Sequence, residues 1–294
     1  MTLEQLKTFL RVAKLGGIRK AALEMNLSQP ALSARISSLE EELGVSLFNR
    51  GKQGMALTPE GVRLRAHAER IESYITQIRA DLTPSQEVKG TLRLGVAETI
   101  ARSWLSDFLR EIRQHYPKLE LELSVDVTLN LREQLLSHHI DLAILMGPLS
   151  EGNVDNIVLP PYPLAWFANP KQENIDLNHT PIITFPRLSR PYQQLVAELM
   201  YRYGQVGQLF SSSTLSTSLE MISAGIGVGA LPERLAQPLV NEGKLKRFDP
   251  GWSLPELTFV AAHLNDPPNV VMNDIAQLAL EVAKEWENKG YECV

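Results

Sequence analysis

The hydrophobic period of this chain changes once, near Val88-Lys89-Gly90. Ahead of that point apolar residues recur at helical spacing; beyond it, short apolar runs alternate with helical stretches. A chain that changes period folds as more than one module, and 294 residues suit about two domains of ordinary size. Alternation of strand and helix is the pattern of β-α-β units around a parallel sheet. The expected class is an α/β fold preceded by a smaller all-α head.

The head reads as three helices. Leu3, Leu6, Phe9, Leu10 and Ala13 share one face, and Gly16-Gly17 ends that helix. Ile18, Ala21, Ala22 and Met25 describe a second, stopped at Asn26, a residue type that tolerates positive φ. Ser28 is an N-cap and Pro30 fits the first turn of a third helix, from about Gln29 to Leu43. Its core stripe is Leu32, Ile36, Leu39 and Leu43; Pro30, Ser33, Ala34, Ser37 and Ser38 turn away. A face of short polar side chains lets a helix sink into the DNA major groove, where hydroxyls and amides meet base edges. The same residues suit an ordinary three-helix unit with a serine-rich solvent face, and periodicity alone does not choose between them.

Residues 45–57 add two short apolar pieces around the basic tip Arg50-Gly51-Lys52-Gln53-Gly54, a hairpin pattern. Cations on such a wing either lie on phosphates, which positions a protein without specifying sequence, or face solvent. Charge is divided accordingly. The first 89 residues hold 13 Lys and Arg against 10 Asp and Glu; of the chain's 29 and 34, the rest keep 16 and 24. A mildly basic front and an acidic body are what an anionic partner confined to the front would require.

Thr58-Pro59-Glu60 opens a further helix with a cap, a first-turn proline and a dipole-compatible acid. Leu64, Ala68, Ile71, Ile75, Ile78 and Leu82 then step by alternating fours and threes, a heptad seam. That seam either pairs with a second copy or packs on its own domain.

The run AALEMNLSQPALSARISSLEEELGVSLFNR, followed by LTPEG, resembles the N-terminal winged helix-turn-helix of LysR-type transcriptional regulators, from about Leu3 to Gly61 and without gaps. The resemblance implies that Ser28, Gln29, Pro30, Ser33 and Arg35 lie on the DNA-contacting helix and Arg50, with its neighbour Lys52, on the wing. Many members carry Arg directly after the helix Ser; here that position is Ala34 and the arginine is Arg35. It also implies a dimerising linker helix, dimers commonly paired into tetramers, and inverted half-sites in double-stranded DNA. RNA polymerase is a candidate partner. The body it implies is a two-subdomain, periplasmic-binding-protein-like effector domain.

The boundaries expected are a winged helix-turn-helix over 1–58, a linker helix and hinge over 59–89, and an effector-binding domain over 90–294. Within the last, subdomain I takes 90–162 and 265–294, and subdomain II takes 163–264. Strands are expected at 92–96, 119–127, 140–146, 164–168, 181–185, 206–210, 226–231 and 257–263. Helices are expected at 100–116, 129–138, 191–203, 214–224 and 269–288.

Ligands of open α/β sheets sit off the carboxyl ends of strands, where helix N-termini point N–H groups into a cleft. Strand ends nominate Thr99, Ile100, Thr128, Asn130, Met146, Thr184, Phe185, Ser212, Ser213 and Gly229. Each alone is equally a cap or turn residue. Hydroxyls there suit an organic acid, whereas Glu98 at the rim repels a carboxylate and attracts an amine, so the effector's charge stays open.

Other classes find little support. No Walker loop or G-x-S-x-G elbow occurs, and Gly225-Ile226-Gly227-Val228-Gly229 is followed by Ala230, which breaks the dinucleotide fingerprint. His138 and His139 are adjacent and would point apart, so no metal site is expected, nor any cofactor. A transport-class binding protein would explain the body, not the basic helical head. A redox-switched regulator needs two cysteines, and the chain has only Cys293. The start lacks an uninterrupted apolar segment, and no apolar run suits a membrane span, so a cytoplasmic, nucleoid-associated regulator is expected.

Overall fold

Thr2 fixes the start of the first helix. Its hydroxyl accepts from Gln5 N while Gln5 Oε1 accepts from Thr2 N at 2.7 Å, a reciprocal cap. Helix α1 (Leu3–Leu15) ends at Gly16, whose φ of 67° is the left-handed conformation glycine adopts without strain. Next come α2 (Ile18–Glu24), with Asn26 at φ 53°, and α3 (Gln29–Leu43), capped by the Ser28 hydroxyl accepting from Ala31 N. The hairpin of β1 (Phe48–Gly51) and β2 (Gly54–Leu57) precedes α4 (Pro59–Asp81). The computed structural model describes residues 1–51, 54–81, 87–265 and 268–289, in two compact units, Met1–Pro84 and Ser85–Val294.

The first unit closes around Phe9, Val12, Leu32, Ile36, Leu39 and Leu47. Its wing is tied down by polar contacts. Glu40 Oε1 accepts from Leu47 N at 2.7 Å and from Phe48 N, and Met55 N donates to Gly16 O. Thr58 Oγ1 donates to Ser46 O and accepts from Gly61 N, so one hydroxyl caps α4 and holds the connection that leads into β1.

The second unit begins with β3 (Gly90–Val96), α5 (Glu98–Ala101), α6 (Leu105–His115), β4 (Leu119–Val125), α7 (Thr128–Leu136), β5 (Leu142–Met146) and β6 (Val154–Val158). The chain crosses over into β7 (Leu164–Ala168), β8 (Ile182–Thr184), α8 (Arg190–Tyr203), β9 (Leu209–Ser211), α9 (Leu215–Ser223), β10 (Gly229–Pro232), α10 (Glu233–Asn241) and β11 (Lys246–Phe248). It returns through β12 (Phe259–Leu264) and α11 (Val270–Lys289). One sheet runs β4-β3-β5-β12-β6, with β3 parallel to β4 and β5, and β12 antiparallel to β5 and β6. The other subdomain holds the antiparallel set β10-β7-β11 and the parallel pair β8-β9, joined by the bridge Ile182 to Val228. The two crossing segments pair at Tyr162 and Leu257, which exchange both N–H···O bonds at 2.9 Å.

Several expectations need correction. Strand β12 belongs to the first sheet, so the return crossing precedes Phe259 and the second subdomain does not extend to residue 264. The helix expected over 100–116 is broken: Ser103 and the buried Trp104 turn the chain between α5 and α6. The sheets are mixed rather than all parallel, because β7 and β12 are entered from crossing segments, not from crossover helices. Strands β6 and β11 and helix α10 were not foreseen. Among the described residues no helix is long and apolar enough to cross a membrane.

Candidate DNA-contact face and effector cleft

Helix α3 buries Leu32, Ile36 and Leu39 and, with its cap Ser28, exposes Gln29, Pro30, Ala31, Ala34 and Ser38; Ser33 and Arg35 are half-buried. Arg35 turns toward α1, with Nη1 3.8 Å from Glu4 Oε2, and Ser38 Oγ accepts from Gln5 Nε2 at 3.3 Å. The free face is therefore Gln29, Pro30 and Ala34, flanked by Ser33. Arg35, assigned by resemblance to the DNA-contacting set, lies at its margin. In the hairpin Arg50 pairs with Met55 through the backbone. Lys52 and Leu82 lie outside the described residues, as do the Arg50 side chain and Cys293.

The seam of α4 divides in two. Ala68 is 1% exposed, and Leu64 and Ile71 pack with it on the core of the first unit. Those three residues serve their own domain, contrary to the expected single dimerising stripe, because α4 folds back on α1. Ile75 is half-buried and Ile78 is 60% exposed.

Between the two subdomains of the second unit lies a cavity of about 530 Å³. Of the residues nominated from strand ends, Thr99, Thr128, Met146, Thr184, Phe185, Ser212 and Ser213 line it. Three do not. Ile100 is wholly buried beneath the wall, and Asn130 faces outward with Nδ2 donating to Asp126 Oδ1 at 2.8 Å. Gly229 lies inside β10, where a Cβ would come within 2.7 Å of Ile183 O. Gly227 is tighter still, 2.3 Å from Pro181 O, so these glycines let β10 approach β8.

Further wall residues escaped the strand-end rule. Pro186, Leu188 and Pro191 come from the entry to α8, Leu257 from the return crossing and Phe259 from the start of β12, none of which strand-end reasoning samples. Arg190 is the one cation among the described lining residues, and Glu98, Asp126 and Glu256 are the lining acids. Thr184 is 4% exposed, and its hydroxyl is buried with no hydrogen-bond partner. An unpaired buried polar atom of this kind is costly.

Behind the cavity, burial pushes the Tyr162 phenol up to about 12, against hydrogen bonds to Ser103 and Trp104 that pull it down. Trp104 Nε1 donates to that oxygen at 2.9 Å. No group of His, Cys, Asp and Glu suited to a metal occurs among the described residues.

Comparison with known proteins covers both units. Residues 3–62 match the bacterial regulatory helix-turn-helix protein family of the lysR type, and residues 85–284 match the LysR substrate binding domain. The chain is 30% identical over 229 residues to the HTH-type transcriptional regulator YofA of Bacillus subtilis, covering 78% of this chain and 80% of that protein. It is 28% identical over 247 residues to CzcR of the same organism, covering 83% and 85%. A full-length OxyR variant from Pseudomonas aeruginosa shares the fold at 22% identity, with a TM-score of 0.67 and coverage of 97% and 94%. Full-length LysG from Corynebacterium glutamicum, solved with bound effector Arg, shares it at 18% identity, with a TM-score of 0.63 and coverage of 97% and 99%. Head and body match in order over most of the chain: this protein belongs to the LysR family of transcriptional regulators, a DNA-binding and effector-binding protein rather than an enzyme.

Proposed function

We propose that this chain binds an inverted-repeat operator as a dimer and that a small molecule in the cleft of the second unit sets its activity. The observation that carries the proposal is the cavity of about 530 Å³ between the two subdomains, with seven of the residues nominated from strand ends on its wall. The cap residue Ser28 and Gln29, Pro30 and Ser33 of α3 meet the major groove, and Arg50 and Lys52 take flanking phosphates. Arg35 is held by Glu4 and contributes less. Ile75 and Ile78 of α4 join two copies, and pairs of dimers form the tetramer common in the family. The effector touches Thr99, Thr128, Met146, Thr184, Phe185, Ser212 and Ser213. The many apolar wall residues suit a ligand with an apolar body and few polar groups, whether organic acid or amine. LysG, solved with its effector Arg, supports a small molecule as the signal. We place this activity in the cytoplasm, on the nucleoid, with RNA polymerase as the downstream partner.

The effector can act only through its differential affinity for two cleft arrangements. The testing experiment measures binding to a promoter fragment against scrambled duplex. Gln29→Ala should erase the preference at the fragment's specific site and leave weak, salt-dependent binding. Equal preference in wild type and Gln29→Ala would remove α3 from recognition.

A further inference from the structure

Taking the cleft as the effector site, as proposed above, we propose that Glu98 is a built-in ligand of the α9 N-terminus that ties the two subdomains together and bars effector carboxylates from that end of the cavity.

A helix start exposes four N–H groups with no partner inside the helix. At α9 all four are filled. Thr214 N donates to Ser212 Oγ at 3.2 Å, and Thr217 N donates to Thr214 Oγ1 at 3.3 Å. The two between them go to Glu98 from the other subdomain: Leu215 N donates to Oε2 and Ser216 N to Oε1 at 3.1 Å. The Ser216 hydroxyl donates to Oε1 as well, and it accepts from Arg102 Nη1 at 2.7 Å. A carboxylate at a helix N-terminus is favoured by both the free donors and the dipole. Here the chain supplies that carboxylate itself, from the helix that follows β3.

Glu98 and Leu215 line the cavity. A second tie between the subdomains joins Arg234 to the Trp286 carbonyl, with the guanidinium 3.6 Å from the indole centroid, and neither residue lines the cavity. A ligand therefore reaches the Glu98 tie and not the Arg234 tie. An incoming carboxylate must displace a tethered competitor whose effective concentration is on the order of millimolar or above, and must do so against its charge. The effector thus meets Glu98 with a neutral or cationic group.

The test places spin labels at the exposed residues Glu133 on α7 and Glu220 on α9, in a Cys293→Ser background of the full chain, and reads their distance by pulsed electron resonance. Glu98→Ala should shift the distribution to longer, broader distances. Acetate, the fragment which that substitution removes, should shorten it again, where equal chloride does not; wild type should ignore acetate. Glu98→Gln keeps the side chain's size and one acceptor, and should fall between. An unchanged distance in both variants, an opened Glu98→Ala that acetate leaves open, or acetate acting alike on wild type and variant would each overturn the proposal. No effector enters this measurement, so its failure leaves the effector assignment standing.

Discussion

Tyr162 occupies the point where the two crossing segments pair, and its phenol is buried against Ser103, Trp104 and the Trp286 ring. Burial holds its pKa at about 12, above the ordinary value near 10. The folded chain therefore keeps a proton that the unfolded chain releases. The resulting stability is fully present below about pH 10 and is lost as pH rises toward about 12, on the order of 3 kcal/mol in all. Denaturant unfolding of wild type and Tyr162→Phe across that window should show the extra slope in wild type only. Below it, Tyr162→Phe should be less stable by about 1–3 kcal/mol, because Trp104 Nε1 loses its acceptor in a buried site. Parallel loss in both proteins would remove the phenol as the cause. Residue by residue, capping was the most legible feature of the sequence. Gly16 and Asn26 act through their own backbone, and the Ser28 hydroxyl reaches only Ala31 N three residues on, so neighbours along the chain suffice to read them. Arg35 was less legible, because its partner Glu4 lies on another helix.

Helix α4 shows the same limit at the scale of an element. A heptad stripe records that a face must be covered, not by what. Its first half is covered by the chain's own head, through Leu64, Ala68 and Ile71, and its second half is left to Ile75 and Ile78. The two halves should therefore respond differently to a charge. Ala68→Asp puts an unpaired carboxylate into a dry core and should unfold the head, seen as lost helical circular dichroism. Ile78→Asp should leave that signal intact and convert dimers to monomers in sedimentation velocity. An Ile78→Asp protein that sediments as wild type would place the interface elsewhere. The pairing of the second subdomain's strands was harder to foresee than the strands themselves, for a related reason. Strands β7 and β10 pair antiparallel across a long stretch of chain, and that register is set by tertiary packing around Phe167, Ile183 and Leu231 rather than by any local turn.

At the scale of the whole molecule, the single change of period near residue 90 corresponds to a division into units that each carry a separate core. Separate cores should melt separately, so calorimetry of the full chain should resolve more than one transition. A cleft ligand contacts only the unit of residues 85–294. At a hundred times its dissociation constant it adds about 2.7 kcal/mol to that unit. For a domain of this size the shift is about 5 to 10 °C in that transition, with the head's transition unmoved. The head's transition can be assigned independently, since Ala68→Asp should abolish it. A ligand that raised both transitions together would mean that the two cores unfold as one cooperative body. Its binding energy would then be shared with the DNA-binding head, and the effector would act through the head's stability instead of through the geometry of the cleft.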